Sequence, residues 1–281
     1  MTFAFKKGLL YRMPTFFGPS LGPRQGPDNT RFDGPVQELE VYSVRFRSDP
    51  DQLDALLPEG FNLFGEPNVT VNAMYMTGVE WLAGRGYNML SVEIPAEFVG
   101  EKDHVRGPFQ LVIWENLADP IITGREDVGF SKIYGEIPPP RFRPNLTHCS
   151  AGWLGFRFMD MKIHDLVDAP ADESEPQHDG TLHLKYIPRT EDWGQADVNY
   201  PVLMTREANG KNVKLVERKI GRGSVTFHHA EWEDLPTFYP VVNTLAALKQ
   251  HEVINATKTR TVGTSPDFYR QDNVSPARIL R

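Results

Sequence analysis

Hydrophobic and polar positions alternate along much of this chain, and the alternation predicts a protein built mainly of strands. It is clearest at residues 181–186, where Leu182, Leu184 and Tyr186 oppose Thr181, His183 and Lys185, the period of two expected of an extended segment with one buried face. Residues 109–114 are largely apolar on both faces, as in a central strand. Two helices stand out. Asp49 caps the first, Pro50 takes its first position, Leu53, Leu56 and Leu57 turn inward, and Pro58 ends it. The second starts at Pro240 and carries Val241, Leu245 and Leu248 at i, i+4 and i+7. Many strands with few helices give a mainly β (α+β) fold: a largely antiparallel, closed or nearly closed barrel, because closure removes exposed edges.

The pattern breaks in three places. Residues 1–35 hold Pro14, Gly18-Pro19, Gly22-Pro23, Gly26-Pro27 and Gly34-Pro35, which predicts an extended N-terminal arm. Its Phe16-Phe17 pair is expected to pack over the same domain or a neighbouring subunit. Residues 165–180, with Pro170 and Pro176 among many acidic residues, read as a solvated loop or lid. The barrel domain then spans 36–255, with a C-terminal tail over 256–281.

Composition narrows the classes of function. The 281 residues carry 30 basic and 37 acidic side chains, a net charge of −7, so a nucleic-acid partner requires a local basic patch. The nearest, residues 211–222, mixes its cations with Val213, Leu215 and Val216 and reads as a hairpin with a solvated face. Cys149 is the single cysteine, which excludes an intrachain disulfide and suits a reducing, cytoplasmic setting. Residues 1–10 have only Leu9-Leu10 as a bulky apolar pair, too short for a signal core, and no apolar run is long enough to span a membrane. His228-His229 with Glu231, and His164 with Asp160 and Asp165, form loose clusters without a recognised metal spacing. No metal is expected.

The chemistry concentrates at residues 121–134, Ile-Ile-Thr-Gly-Arg-Glu-Asp-Val-Gly-Phe-Ser-Lys-Ile-Tyr. Lys132 there is flanked by Phe130, Ile133 and Tyr134. An ordinary lysine titrates near ~10.4 and is a poor nucleophile at neutral pH. Apolar neighbours that desolvate it favour the free amine needed to attack a carbonyl. The plain alternative is a strand lysine that snorkels to solvent. Gly124 and Gly129 lack the strand-turn-helix setting of a dinucleotide fingerprint.

The same stretch resembles the signature of the acetoacetate decarboxylase-like superfamily, in which a Gly-Arg-Glu run leads to a Schiff-base lysine. Lys132 falls on that lysine. Similarity extends to residues 44–53 and 56–61, and more weakly to Leu184-Lys185-Tyr186-Ile187-Pro188 and residues 225–232. The resemblance implies a cone-like barrel with the reactive lysine inside. It also brings departures. The second lysine that follows in the founding decarboxylases is Ile133 here, their strand glutamate falls on Met89, and their arginine before the first strand falls near Leu39.

If residues 87–93 are extended, Tyr87, Met89, Ser91 and Glu93 share one face. With Met89 toward the pocket, Glu93 becomes a candidate general acid/base and Tyr87 a hydroxyl donor. Arg125 and Arg106 are the candidate anchors for a substrate carboxylate, and Phe130 a further pocket residue. These readings imply a cofactor-free lyase, homo-oligomeric, acting on a 2-oxo acid such as pyruvate and an aldehyde through an enamine on Lys132, by aldolase-dehydratase or the reverse hydratase-aldolase chemistry. Decarboxylation of acetoacetate or another β-keto acid is the second reading, and a non-catalytic small-ligand barrel the third.

Overall fold

The computed structural model describes residues 4–7, 11–14, 36–170, 178–205, 213–264 and 277–281. Phe16-Phe17 and the centre of the expected lid lie outside them. The strands of the first half are β1 (Val36–Arg47), β2 (Phe61–Leu63), β3 (Asn68–Val79), β4 (Arg85–Val99), β5 (His104–Glu115) and β6 (Lys132–Tyr134). Those of the second half are β7 (Arg141–Arg143), β8 (Leu146–Trp153), β9 (Phe156–Asp168), β10 (Gly180–Pro188), β11 (Ala196–Thr205), β12 (Lys214–Phe227), β13 (Glu252–Thr264) and β14 (Ala277–Ile279). Among the described residues three α-helices interrupt them: α1 (Pro50–Asp54), α2 (Ala118–Thr123) and α3 (Tyr239–Ala246). None is long and apolar enough to cross a membrane.

Local chemistry accounts for the two expected helices. The Asp49 carboxylate accepts from the Asp51 amide at 3.2 Å, Pro50 opens α1, and Leu53 is fully buried. The helix stops at Asp54, four residues short of Pro58, and Leu56 and Leu57 reach the core from the following turn. In α3, Val242 and Leu245 are buried, while Leu248 reaches the core from beyond the helix end.

The strands form one mixed sheet in the order β14-β11-β10-β5-β4-β3-β1-β13-β12-β9-β8-β7, with β2 added beside β4 and β6 beside β5. The expected closed barrel is therefore not realised as a continuous ladder. Among the described residues, the chain after β6 meets β8 through one bridge, in which Glu136 and Gly152 exchange hydrogen bonds of 2.7 and 2.9 Å. Pro138, Pro139 and Pro140 follow after Ile137, and proline has no amide to extend the ladder.

Alternation sorts the side chains into two layers. Tyr42, Val71, Leu90, Trp114, Phe158, Met161, Val225 and Ala256 belong to the main core, drawn from seven strands. The opposite face of β4 and β5 carries a smaller cluster of Tyr87, Met89 and Ile113, with Val79 beside them.

Candidate active site

Lys132 is placed by a short parallel pairing in which Ile113, Trp114 and Glu115 of β5 face Lys132, Ile133 and Tyr134 of β6. Ile133 packs against the main core. Because neighbours on a strand point to opposite sides, Lys132 projects from the other face, where Ile113 packs with Tyr87 and Met89. The lysine thus lies behind the core rather than inside it. Only 7% of it is exposed, its Nζ lies 2.7 Å from Glu115 Oε1, and it donates to the Pro120 carbonyl at 3.1 Å. Glu115 is completely buried.

A short helical turn covers this pair. Helix α2 runs straight into a π-helical turn, Gly124–Val128, which ends at Gly129 with φ +87°. Gly124 is required by proximity. A Cβ there would fall 2.4 Å from Lys132 Cδ, 2.5 Å from Cε and 2.8 Å from Nζ, so the lysine lies across the bare backbone of the turn. Gly129 is required twice, by its left-handed backbone and by Lys185 Cβ, which would meet an added methyl at 2.4 Å.

Strand β10 holds the turn in place. Lys185 Nζ donates to the carbonyls of Glu126 at 2.5 Å and Asp127 at 3.4 Å, and His183 Nε2 bonds the Val128 carbonyl at 2.9 Å. Three successive carbonyls are satisfied by two side chains. Burial lowers the pKa of Lys185, against the pull of Asp127 and Glu126. Burial also drives His183 from 6.5 down to about 4, opposed by its bond to Val128 and assisted by the Lys185 charge. A neutral His183 with its proton on Nε2 is the form that can donate to that carbonyl. Its ring stacks on Phe130 at 4.3 Å. From the N-terminal segment, Arg12 reaches Asp127 at 2.6 Å in an ion pair with side chains 4% and 5% exposed.

The structure brings several of the expected residues together and separates others. Phe130 lies beside the lysine, with its ring centre 5.9 Å from Nζ. Tyr87 and Met89 are buried on the lysine's face of the sheet, and Ser91 is opposite Ile113 in register with Lys132. Glu93 is two positions further on, half-buried and opposite Thr70 and Gln110. Arg125 donates to the Lys132 carbonyl at 2.8 Å, so it fixes the backbone of the lysine. Arg106 is elsewhere: it pairs with Glu97 at 3.2 Å and covers the Phe64 ring at 4.1 Å, roughly 20 Å along β5 from Ile113 at the usual strand rise.

Glu115, His183, Lys185 and Arg12 were not legible as site residues. Glu115 ends the apolar run of β5 and shares a face with Ile113, but only the pairing of β5 with β6 carries Lys132 to it. The histidine cluster resolves differently from its sequence pattern. His228 and His148 grip the two oxygens of Asp160 at 2.7 and 2.5 Å, with Arg157 at 3.1 Å, whereas the exposed His229 lies 3.6 Å from Glu231. Burial of Asp160 opposes its ionisation, and the hydrogen bonds from His228 and His148 outweigh it, leaving the carboxyl below its ordinary range. Among the described residues no group of three or more His, Cys, Asp or Glu side chains is arranged to hold a metal ion.

The fold is mostly β, with a buried lysine facing a carboxylate beneath a Gly-Arg-Glu turn. Residues 12–263 match the acetoacetate decarboxylase (ADC) family, and the chain belongs to it. Solved structures with the same fold include the acetoacetate decarboxylase of Legionella pneumophila, at TM-score 0.62 and 16% identity over 91% of this chain and 92% of that one. An acetoacetate decarboxylase-like enzyme from Sphingomonas wittichii RW1 aligns at TM-score 0.63 and 16% identity over 92% and 99%. The enduracididine biosynthesis enzyme MppR, solved in complex with pyruvate, aligns at TM-score 0.59 and 17% identity over 90% and 93%. Comparison with curated proteins finds no match.

Proposed function

We propose that this protein is a cofactor-free carbon–carbon lyase in which Lys132 forms a Schiff base with a 2-oxo acid such as pyruvate. The observation that carries the reading is the buried Lys132 Nζ, 2.7 Å from Glu115 Oε1 and lying over Gly124. Fold-level likeness adds to it, since MppR has been solved with pyruvate and with the condensation product of pyruvate and imidazole 4-carboxaldehyde.

An amine must be unprotonated to attack, and Glu115 is the nearest group that can take its proton. Addition of the free amine to the keto carbon, followed by loss of the carbonyl oxygen as water, gives the imine. The imine draws electrons from the adjacent methyl carbon, and proton loss there leaves an enamine. Its carbon attacks an aldehyde, whose oxygen is protonated to a hydroxyl; loss of a second proton from the former methyl carbon and departure of that hydroxyl as water form a carbon–carbon double bond, and hydrolysis of the imine returns the lysine. Glu93 and Tyr87 remain proposed proton-transfer and hydroxyl groups. Met89 and Phe130 are the proposed apolar contacts, and Arg125 is the proposed contact for a substrate carboxylate.

Family membership supports decarboxylation of a β-keto acid as the second reading, with carbon dioxide as its distinguishing product. The test is intact-protein mass after borohydride reduction with pyruvate and, separately, with acetoacetate, in the native chain and in Lys132→Ala. A reduced pyruvate adduct absent from the variant is expected. An adduct with acetoacetate alone, accompanied by carbon dioxide, moves the assignment to the decarboxylase. No adduct with either discards Schiff-base chemistry for these acids and leaves the ligand-binding reading.

A further inference from the structure

A cavity of about 590 Å³ adjoins the lysine segment and is lined by Phe5, Met13, Phe130, Leu184, Ile187 and Arg125, among others. That volume lies within the range of pockets for organic ligands and far exceeds what pyruvate would fill. The position relative to Lys132 is specific. Phe130 forms part of the cavity wall, and its ring centre stands 5.9 Å from Nζ. Ser131 and Arg125 line the cavity too, and Arg125 is bonded to the Lys132 carbonyl. One aromatic ring therefore borders both the cavity and the amine.

Charge selects the ligand further. Arg12, Arg125 and Lys185 are on the wall, against Glu126 as its acid among the described residues. Asp127 neutralises Arg12 at 2.6 Å, and Lys185 is engaged by two backbone carbonyls. Arg125 uses one N–H on a neutral carbonyl and faces no carboxylate within ion-pair distance among the described residues. Its planar fork suits a carboxylate.

We infer that this cavity is the acceptor subsite of the reaction, built for an aldehyde with an aromatic or branched apolar body and a carboxylate at its far end. The inference rests on the Schiff-base reading and deepens it by naming the second substrate's class. The apolar body fills the space between Phe5, Leu184 and Ile187, the carboxylate meets Arg125, and displacement of the Phe130 ring brings the aldehyde carbon to the enamine. The N-terminal segment contributes Phe5 and Met13, so the subsite is complete only with that segment in place.

The test separates binding from chemistry. Calorimetric titration with 4-ethylbenzoate, which has the shape and charge but no aldehyde, is expected to show saturable binding at least tenfold tighter than that of neutral 4-ethylbenzyl alcohol. Ile187→Trp and, independently, Met13→Trp put bulk into the cavity from two different segments of the chain, and each is expected to weaken binding at least tenfold. Condensation of pyruvate with 4-formylbenzoate should be competitively inhibited by 4-ethylbenzoate. No saturable binding, or binding that neither variant alters, overturns the subsite. A pyruvate adduct on the native chain without 4-ethylbenzoate binding overturns this inference alone. Binding without the adduct overturns the Schiff-base reading and with it the acceptor role.

Discussion

Glu115→Gln keeps the shape of the side chain and removes the charge 2.7 Å from Lys132 Nζ. Both partners are buried, with side chains 8% and 0% exposed. Deleting one partner of such a pair costs roughly 3–5 kcal/mol, because the remaining charge is left without compensation. A ceiling on the loss comes from release of the lysine's proton. Holding a lysine neutral at pH 7 against an unfolded value near ~10.4 costs roughly 5 kcal/mol, at about 1.4 kcal/mol per pH unit. If the variant takes that route, its unfolded chain binds more protons than its folded one, so its stability rises with pH. At pH 9 about 2 kcal/mol of the loss should remain. Urea denaturation of the native chain and the variant at both pH values gives the comparison. A second variant, Lys132→Met with Glu115→Gln, removes both charges and should recover most of the loss. A loss under about 1 kcal/mol at pH 7, or one that does not shrink by pH 9, would refute the assignment of a charged, mutually dependent pair.

Two further outcomes follow from the covering turn. His183 falls from 6.5 to about 4 on folding, so its contribution to stability is complete above pH 6.5 and is lost as pH falls toward 4, by roughly 3 kcal/mol in all; His183→Asn should flatten that acid limb in urea midpoints measured between pH 4 and 7. Gly124→Ala places a methyl against Cδ, Cε and Nζ of Lys132 and pushes the amine away from Glu115, so borohydride labelling with pyruvate should fall at least tenfold and the melting temperature should drop with it, and unaltered labelling would count against the lysine's course over the turn.

What could be read from sequence was what neighbouring residues encode. Asp49-Pro50 specified a helix start, the alternation at residues 181–186 specified β10, and Phe130, Ile133 and Tyr134 marked Lys132 as a lysine with apolar company. What could not be read arose from pairing at a distance. Glu115 precedes Lys132 by a stretch that the chain spends on α2 and the π turn, and no local period announces that β5 and β6 run parallel. Helix α2 itself has no side-chain cap and contains Pro120, so it gave no signal. The three prolines after Ile137 were visible, but their effect on closure depends on which strand lies opposite. Lys185 and His183 matched an ordinary half-buried strand pattern, and their second role exists only because the carbonyls of residues 126–128 arrive above them.

The opposite orientation of Ile133 and Lys132 bears on how such a protein can change over generations. Adjacent in the chain, the two residues answer to different demands, one to the packing of the interior and the other to the buried pair with Glu115 behind it. Substitutions among the interior residues of β8 and β9, such as Cys149 and Met161, are felt first as stability, since distant sites act nearly independently. The lysine's face is bounded by α2, the π turn, β10 and a few N-terminal residues, and of these β10 also reaches the interior, through Leu182. A lineage with this arrangement can alter the surroundings of the lysine while most of its foundation stays the same.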